Sequence, residues 1–384
     1  MTLHIDHEYT IDLLQKLVQI NSVNSDLVPG AAGEGEIADF IADELQKLGV
    51  TVEIQDIEAG RKNVIGILKG GSGRSLMLNA HTDTVGIDGM DEPLSGAIRD
   101  GKLYGRGSFD MKCSIAACMG ILKAYQDAGV QPGGDIIFTG VIDEEYGSKG
   151  TDAILEKYSA DACIVTEPTG LKVCMAHRGF VWIEVITTGR AAHGSRYFEG
   201  IDANVEMGRF LVALDEHNTD LINRDKHPLL GTGSIHAPLL KGGSSQSVYA
   251  AQCRMELERR TLPGETPEMV LSEIQSILDN LAAKHPKFNA TANLLFHRDA
   301  FEVNADAAIV KSVNQAVEAQ SGQAPQHYGE LWWMDSALTA AAGIETVIIG
   351  PTGDGAHADE EWVNVNSVID LGEILLHVVD DFCD

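Results

Sequence analysis

Short apolar runs that are typical of β-strands alternate with stretches of helical periodicity along the first part of this 384-residue chain. The strand-like runs lie at 51–54, 63–68, 76–80, 135–142 and 162–166, and the helical stretches lie at 9–20, 34–48 and 111–128. Strands that alternate with helices predict a mixed, largely parallel sheet with helices on both faces. We therefore expect an α/β fold for this part of the chain.

The order of the predicted elements changes after Gly179. A strand, a helix, two strands, a helix and a strand are predicted in turn at 181–188, 203–215, 229–240, 247–258, 266–284 and 289–296. This β-α-β-β-α-β order is that of the ferredoxin-like unit, which is complete in itself. Further helices and a strand follow it. We therefore expect a lid and dimerisation domain of residues 179–296, inserted into a catalytic domain of residues 1–178 and 297–384.

The chain is strongly acidic, with 28 Lys and Arg residues against 57 Asp and Glu residues and a formal net charge of −29. Such a charge repels the phosphates of a nucleic acid and an anionic membrane surface. We see no secretory leader, no apolar run of about 18 residues that could span a membrane, and no disulfide spacing among the six cysteines. We expect a cytoplasmic protein with reduced thiols that binds neither nucleic acid nor membranes.

A histidine and an aspartate stand at the end of a predicted strand, in the segment LMLNAHTDTV. Ligand sites of open α/β sheets lie at the carboxyl ends of parallel strands. Residues two apart in an extended chain face the same side, so Asp83 can accept a proton from the second ring nitrogen of a metal-bound His81. A hydrogen-bonded surface histidine is the alternative for this pair taken alone.

Four further loops carry carboxylates or a second histidine, in the segments GRGSFDMK, DEEYGS, TEP and GAHADEE. A helix N-cap is the alternative for Asp110, and a solvated acidic loop is the alternative for Glu144 and Glu145. Imidazole and carboxylate together suit Zn²⁺, Co²⁺ or Mn²⁺, and the lack of thiolate ligands argues against a closed structural zinc site. The five candidate metal ligands are His81, Asp110, Glu145, Glu167 and His357.

These motifs occur in the order found in the dinuclear-zinc amidohydrolases, and the chain resembles that family over nearly its whole length. The family includes acetylornithine deacetylase, succinyl-diaminopimelate desuccinylase, aminoacylase and carboxypeptidase G. The resemblance implies two divalent cations, zinc or else cobalt or manganese. His81 and Glu167 would hold one cation. Glu145 and His357 would hold the other, and Asp110 would bridge both.

The resemblance also implies roles in catalysis. Glu144 would take a proton from the attacking water as general base and return it to the departing amine as general acid. Asp83, which its spacing places beside His81, is the second residue that we expect to be catalytic. The third, His193 in the segment GRAAHGS, would reach across a homodimer to stabilise the oxyanion, although an exposed loop histidine is the alternative. The peptide bond Asp110-Met111 would be cis.

Three residues match family positions that contact substrate. Arg178 and Arg260 would bind a substrate carboxylate, although each could instead balance neighbouring acids. Asp335 lies in the segment GELWWMDS, whose two tryptophans favour an apolar pocket or core packing. Ser247 and Ala250 depart from the asparagine and proline that many members have, which puts the usual asparagine contact in doubt.

We therefore expect a homodimeric two-metal hydrolase that removes the acyl group from an N-acyl amino acid in the manner of acetylornithine deacetylase. A dipeptidase or exo-carboxypeptidase with the same metal site is the nearest alternative. The two differ in which side of the amide the pocket recognises. A non-catalytic binding protein on this scaffold is a third hypothesis, which the complete ligand set and Glu144 disfavour.

Overall fold

The computed structural model describes residues 3–384, which divide into two compact units. The first unit takes the described residues up to Met175 together with Val303–Tyr328 and Met334–Asp384. The second takes Ala176–Glu302 and Gly329–Trp333. The boundaries between the units therefore lie a few residues from the expected ones. The segment at 329–333 belongs to the second unit, where the carbonyl of Glu330 accepts a hydrogen bond from the backbone N–H of Arg178.

Both units combine helices with strands. In chain order the helices are α1 (His7–Gln19), α2 (Gly35–Lys47), α3 (Lys112–Ala128), α4 (Lys149–Leu155), α5 (Ala203–Ile222), α6 (Pro267–Lys284), α7 (Ala308–Ser321), α8 (Ser336–Ala341) and α9 (Val365–Phe382). The strands are β1 (Thr51–Glu58), β2 (Arg61–Leu68), β3 (Leu76–His81), β4 (Ala97–Arg99), β5 (Lys102–Tyr104), β6 (Ile136–Val141), β7 (Ala162–Val165), β8 (Val173–His177), β9 (Gly179–Thr188), β10 (Ser234–Gly242), β11 (Gln252–Thr261), β12 (Ala290–Arg298), β13 (Phe301–Glu302), β14 (His327–Glu330), β15 (Glu345–Ile348), β16 (Gly353–Asp354) and β17 (Trp362–Asn364).

The main sheet has the strand order β1-β2-β6-β3-β7-β15-β8-β13, with β14 also paired to β8. Its centre, β6-β3-β7-β15, is parallel, which confirms the α/β class. Its edges are antiparallel. At one edge β1 and β2 are joined by a two-residue turn at Gly60, and so short a connection permits only antiparallel pairing. Helices pack in two separate groups, one with α1, α3, α7 and α9 and the other with α4 and α8.

The core of the first unit lies around its parallel strands. β3 and β6 are buried along their whole lengths, and α3 is buried around most of its circumference, as its small apolar residues predict. Since parallel strands point the same way, β3, β6, β7 and β15 all end at the same edge of the sheet. That edge carries the loops in which the sequence places the candidate ligands.

The second unit contains an antiparallel sheet of order β10-β11-β9-β12, with α5 and α6 packed against it in the predicted β-α-β-β-α-β sequence. Its apolar core joins strand residues such as Ile183 to helix residues such as Phe210 and Ile274. The strand expected from residue 229 begins only at Ser234, because a tight turn at Gly231 precedes it. The helix expected to stop at residue 215 continues to Ile222.

Two expectations about the chemistry of the chain concern its thiols and membranes. All six cysteines are buried and free. Burial raises the pKa of the Cys118 thiol to about 12, so this sulfur stays protonated and unreactive. Across residues 3–384, the helices are all too short or too polar to cross a bilayer.

Candidate metal centre

The candidate ligands lie where the central parallel strands of the first unit end. His81 is the last residue of β3, and Asp110 stands just before α3. The ring nitrogen Nε2 of His81 lies 3.1 Å from Asp110 Oδ1 and 3.7 Å from Glu167 Oε1. His81 is 1% exposed. One edge of its imidazole is therefore lined by two carboxylates inside the protein.

A second histidine faces the other oxygen of the same aspartate. His357 Nε2 lies 3.4 Å from Asp110 Oδ2 and 2.9 Å from Glu145 Oε2. The two oxygens of Asp110 thus point at different histidines, as a carboxylate between two cations would. The side chain of Asp110 does not cap α3, whose N-cap is Met111. The peptide bond Asp110-Met111 is cis, which confirms that prediction.

Possible ligand atoms gather in two groups whose members all lie within 4.8 Å of one another. One group joins His81 to Asp110 and Glu145, and the other joins His81 to Glu144 and Glu167. The structure therefore brings the predicted ligands together. It also places Glu144 beside them, within reach of anything bound between His81 and Glu167.

The three glutamates of this cluster are short of positive charge. Burial also opposes ionisation of Asp110, but hydrogen bonds to His357 and His81 outweigh it and lower the pKa of Asp110. Burial, reinforced by neighbouring carboxylates, raises the pKa of both Glu144 and Glu167 well above the usual range of a carboxyl group. Burial and the charge of Asp110 raise the pKa of Glu145 to about 7. Acids that are this hard to ionise are typical of a site built for cations.

The pKa values of the two histidines are also raised, which for a histidine favours the charged form. Burial opposes protonation of His81, but Glu167 and Asp110 outweigh it and hold its pKa well above the ordinary value. Hydrogen bonds to Asp110 and Glu145 raise the pKa of His357 to about 10. Protons thus occupy ring nitrogens that face carboxylates. Divalent cations would replace those protons, and this donor set fits Zn²⁺, Co²⁺ or Mn²⁺.

Asp83 has a different set of contacts from the one expected. His81 Nδ1 lies 2.9 Å from the backbone carbonyl of Asp83 and 3.6 Å from its carboxylate Oδ1. The carboxylate instead accepts hydrogen bonds from the backbone N–H groups of Glu144 and Glu145, both at 3.2 Å, and from Asn24. Asp83 therefore holds both the ring of His81 and the loop that carries the two glutamates.

A buried ionic network that sequence reasoning missed supports the same loop. Arg61 donates two hydrogen bonds to Glu34, at 2.6 and 2.7 Å, and one to Asp143 at 3.0 Å. Asp143 has a positive φ of 69°, which is uncommon for a residue with a side chain. Asn24 donates to both Asp83 and Asp143. The network fixes the backbone just before Glu144.

Asp335 lies in the interior of the first unit, where it is 1% exposed and accepts a hydrogen bond from Thr151 Oγ1. Burial and Glu167 are the main causes of the raised pKa of Glu144, and the charge of Asp335 adds to them. The negative charge of Asp335 thus helps to raise the pKa of Glu144, while the Asp335 carboxylate itself is hydrogen-bonded to Thr151.

The predicted residues of the second unit are held more loosely. His193 is exposed, and its Nδ1 lies 2.8 Å from Ser195 Oγ. Arg260 donates to Glu258 at 2.7 Å. Arg178 donates to a backbone carbonyl, and no carboxylate within residues 3–384 forms an ion pair with it. Burial and two neighbouring arginines lower the pKa of Arg178, so its guanidinium is suited to an incoming anion.

Comparison with known proteins places this geometry in a family. The model of the family described as "Peptidase family M20/M25/M40" matches residues 77–381. The match covers both units and includes His81, Asp110, Glu145, Glu167 and His357. A family match over most of the chain identifies the class of reaction but does not identify the substrate.

Individual relatives differ in what they act on. The chain is 25% identical to N-formyl-4-amino-5-aminomethyl-2-methylpyrimidine deformylase of Halalkalibacterium halodurans, over 99% of this chain and 96% of that protein. It is 29% identical to acetylornithine deacetylase of Myxococcus xanthus, over 90% and 92%. A dinuclear metal binding peptidase of Bacillus subtilis shares the fold, with a TM-score of 0.75, 17% identity and 97% of each chain covered.

Proposed function

The chain belongs to peptidase family M20/M25/M40 and is a hydrolase that acts on amides, and from this premise we propose that it removes the acyl group from an N-acyl amino acid. The observation that carries the chemistry is the position of Asp110, whose two oxygens face His81 and His357. The choice of substrate is supported by two relatives whose names denote removal of an acetyl or a formyl group.

The proposed metal ligands divide as follows. His81 and Glu167 would hold one divalent cation, His357 and Glu145 would hold the second, and Asp110 would be shared. Cations bound by these residues would lower the pKa of a water and polarise the amide carbonyl. Zinc is the proposed metal, with cobalt or manganese as alternatives that the same donors accept.

Glu144 moves the proton in this proposal. Its carboxylate is the member of the cluster left over once the five ligands are assigned. Burial and the charge of Glu167 raise its pKa, which favours holding a proton taken from water. The carboxyl group then delivers that proton to the nitrogen of the departing amine. Asp83 and Arg61 keep the backbone of Glu144 in place during this transfer.

Arg178 and Arg260 are the proposed partners of the substrate carboxylate. The guanidinium of Arg178 has no carboxylate partner in the described part of the chain, so binding one costs no existing ion pair. Arg260 lies over the ring of Phe180, at 5.5 Å from its centroid. Phe180 in turn lies near Trp333, with 6.4 Å between centroids. These rings favour a substrate with an apolar side chain.

A homodimer formed through the second unit completes the proposal, with His193 of one copy stabilising the oxyanion in the other. The edge strand β10 supports it, because Leu239 and Leu240 are 58% and 57% exposed there. Coexpression of Glu144→Gln and His193→Ala chains tests it. If each site takes its histidine from the partner, mixed dimers restore about a quarter of wild-type activity. If coexpression restores no activity, His193 does not act on the site of the partner copy.

The second candidate function is a dipeptidase or exo-carboxypeptidase, favoured by the likeness to a peptidase of known structure. A panel of N-acetyl and N-formyl amino acids against dipeptides, each assayed with Zn²⁺, Co²⁺ and Mn²⁺, separates the two. We expect faster turnover of the N-acyl amino acids. If dipeptides are turned over faster, the peptidase function would replace the proposed one. The free, buried thiols favour the cytoplasm as the place of action.

A further inference from the structure

The fully buried carboxylate of Glu361, which is not among the proposed ligands, accepts hydrogen bonds from the loop that carries Asp110. Glu361 Oε1 accepts hydrogen bonds from the backbone N–H groups of Phe109 and Asp110, at 2.9 and 3.0 Å. Its Oε2 accepts from the backbone N–H of Gly107 at 3.1 Å and from Arg106 Nη1 at 2.6 Å. The side chain of Glu361 is 0% exposed. Every one of these donors therefore depends on this carboxylate rather than on water.

The loop in question has no regular structure of its own between β5 and α3. Gly105 and Gly107 have positive φ angles of 137° and 78°, which glycine adopts and most other residues avoid. Such a segment is free to take many shapes in the unfolded chain. Three backbone N–H groups bound to one carboxylate select a single shape. Because one of them belongs to Asp110, the contact sets where the carboxylate of Asp110 points.

Glu361 also belongs to the loop that carries His357, four residues earlier in the chain. Two further hydrogen bonds join the same loops. Gly105 donates its backbone N–H to the carbonyl of Glu361 at 3.1 Å, and Arg106 Nη2 donates to the carbonyl of Ala358 at 2.9 Å. The loop of Asp110 and the loop of His357 are therefore tied together at a point that touches neither ring nor carboxylate of the ligands.

We propose that Glu361 is a positioning residue that joins these two loops and so sets the spacing of Asp110 and His357 for cation binding. The inference rests on the metal site of the proposed function and adds a residue to it that does not touch the cation. Outer residues that orient ligands typically change metal affinity by about 10- to 100-fold when they are replaced.

The negative charge and both oxygens of Glu361 are needed for this role. A glutamine has the same length, but one of its two ends is an NH₂ group, which donates. That NH₂ group would face either the pair Phe109 and Asp110 or the pair Gly107 and Arg106, all of which donate. At least two buried donors would lose their acceptor, and the loop would have to move to satisfy them.

The test compares Glu361→Gln with Glu360→Gln, a matched substitution at the adjacent, exposed glutamate. Zn²⁺ affinity is measured without substrate, by competition with a chromophoric chelator, on protein whose fold is checked by circular dichroism. We expect Glu361→Gln to bind Zn²⁺ about 10- to 100-fold more weakly than wild type and Glu360→Gln to match wild type. Wild-type affinity in a folded Glu361→Gln protein, even one of lowered stability, would overturn the proposal.

A second variant covers the case in which Glu361→Gln does not fold. Glu361→Asp keeps the charge but is one methylene shorter, so it cannot reach both pairs of donors. We expect weaker Zn²⁺ binding for it as well, and wild-type affinity would again overturn the proposal. A wild-type chain that binds no Zn²⁺ would defeat both the inference and the metal site. A wild-type chain that binds Zn²⁺ but hydrolyses no acylated amino acid would defeat the proposed substrate alone.

Discussion

One arginine in each unit shows how burial changes the role of a charge. In the first unit Arg61 is 5% exposed, and its partners Glu34 and Asp143 are 0% exposed. In the second unit Arg254 is 50% exposed and pairs with Glu184 on the surface of the sheet. Buried charges must be satisfied by protein, whereas exposed ones are served by water. Arg61 is therefore part of a fixed framework, whereas Arg254 can exchange its partner for water.

The candidate site residues follow the same division. His81 is 1% exposed and bonded on both ring nitrogens, whereas His193 is exposed and its ring nitrogen Nδ1 bonds to Ser195, two residues away. The difference indicates a preorganised cluster in the first unit, and in our proposal the residues of the second unit act when a substrate or a partner arrives. Substitutions in the two units should therefore differ in kind and in size.

The largest effect is expected from Glu144→Gln in the first unit. Glutamine cannot accept or deliver the proton, so kcat should fall by about 10²- to 10⁴-fold. Bound metal should stay unchanged, because the five ligands remain. Steady-state kinetics and metal analysis of the same sample check both parts. Loss of metal would make Glu144 a ligand, and full activity would remove it from the mechanism.

The second effect concerns stability and compares two arginines. Arg61→Met leaves Glu34 and Asp143 buried without their partner, and should lower the free energy of unfolding by about 3–5 kcal/mol. Arg254→Met, the matched change on the surface of the second unit, should leave the free energy of unfolding nearly unchanged. Urea unfolding of both variants checks this. Equal losses would contradict the contrast between the two arginines.

A smaller effect is expected from His193→Ala. Removal of one donor to an oxyanion should lower kcat by about 100-fold, with little change in KM. Zn²⁺ affinity should match wild type, since His193 is not among the ligands. If His193→Ala weakens Zn²⁺ binding as much as a change at His357 does, His193 would have to be counted among the ligands.

The smallest effect is expected from Arg178→Met. KM for an N-acetyl amino acid should rise by about tenfold, because one charged hydrogen bond to the substrate carboxylate is lost. KM for the corresponding amino acid amide, which lacks the carboxylate, should not change. An equal rise for both compounds would mean that Arg178 supports the fold of the second unit and not the substrate.

The parallel centre and the ligand loops could be predicted from sequence because each depends on local pattern. His81 ends a strand-like run, Glu145 and Glu167 follow two others, and parallel strands bring such ends together. The short strands β4, β5, β16 and β17, which form their own sheet, were not predicted. Segments of two or three residues carry no periodicity from which to predict a strand.

The supporting network could not be predicted, because its partners are distant in the chain. Arg61 lies 27 residues from Glu34 and 82 from Asp143, and Arg106 lies 255 from Glu361. Spacing rules reach only neighbours on one helix or strand. The contact of His81 with Asp83 could not be predicted for the same reason. The backbone carbonyl of Asp83 lies beside His81 in place of the expected carboxylate, because the carboxylate accepts hydrogen bonds from the distant backbone N–H groups of Glu144 and Glu145.

The central claim is that the first unit binds two divalent cations between His81 and His357, with Asp110 shared between them. Calorimetric titration of metal-free protein with Zn²⁺, run beside the variant Asp110→Asn, tests it most directly. The account predicts two equivalents of Zn²⁺ per wild-type chain and a loss of at least one in the variant. One equivalent or none in the wild type, or two in the variant, would contradict it.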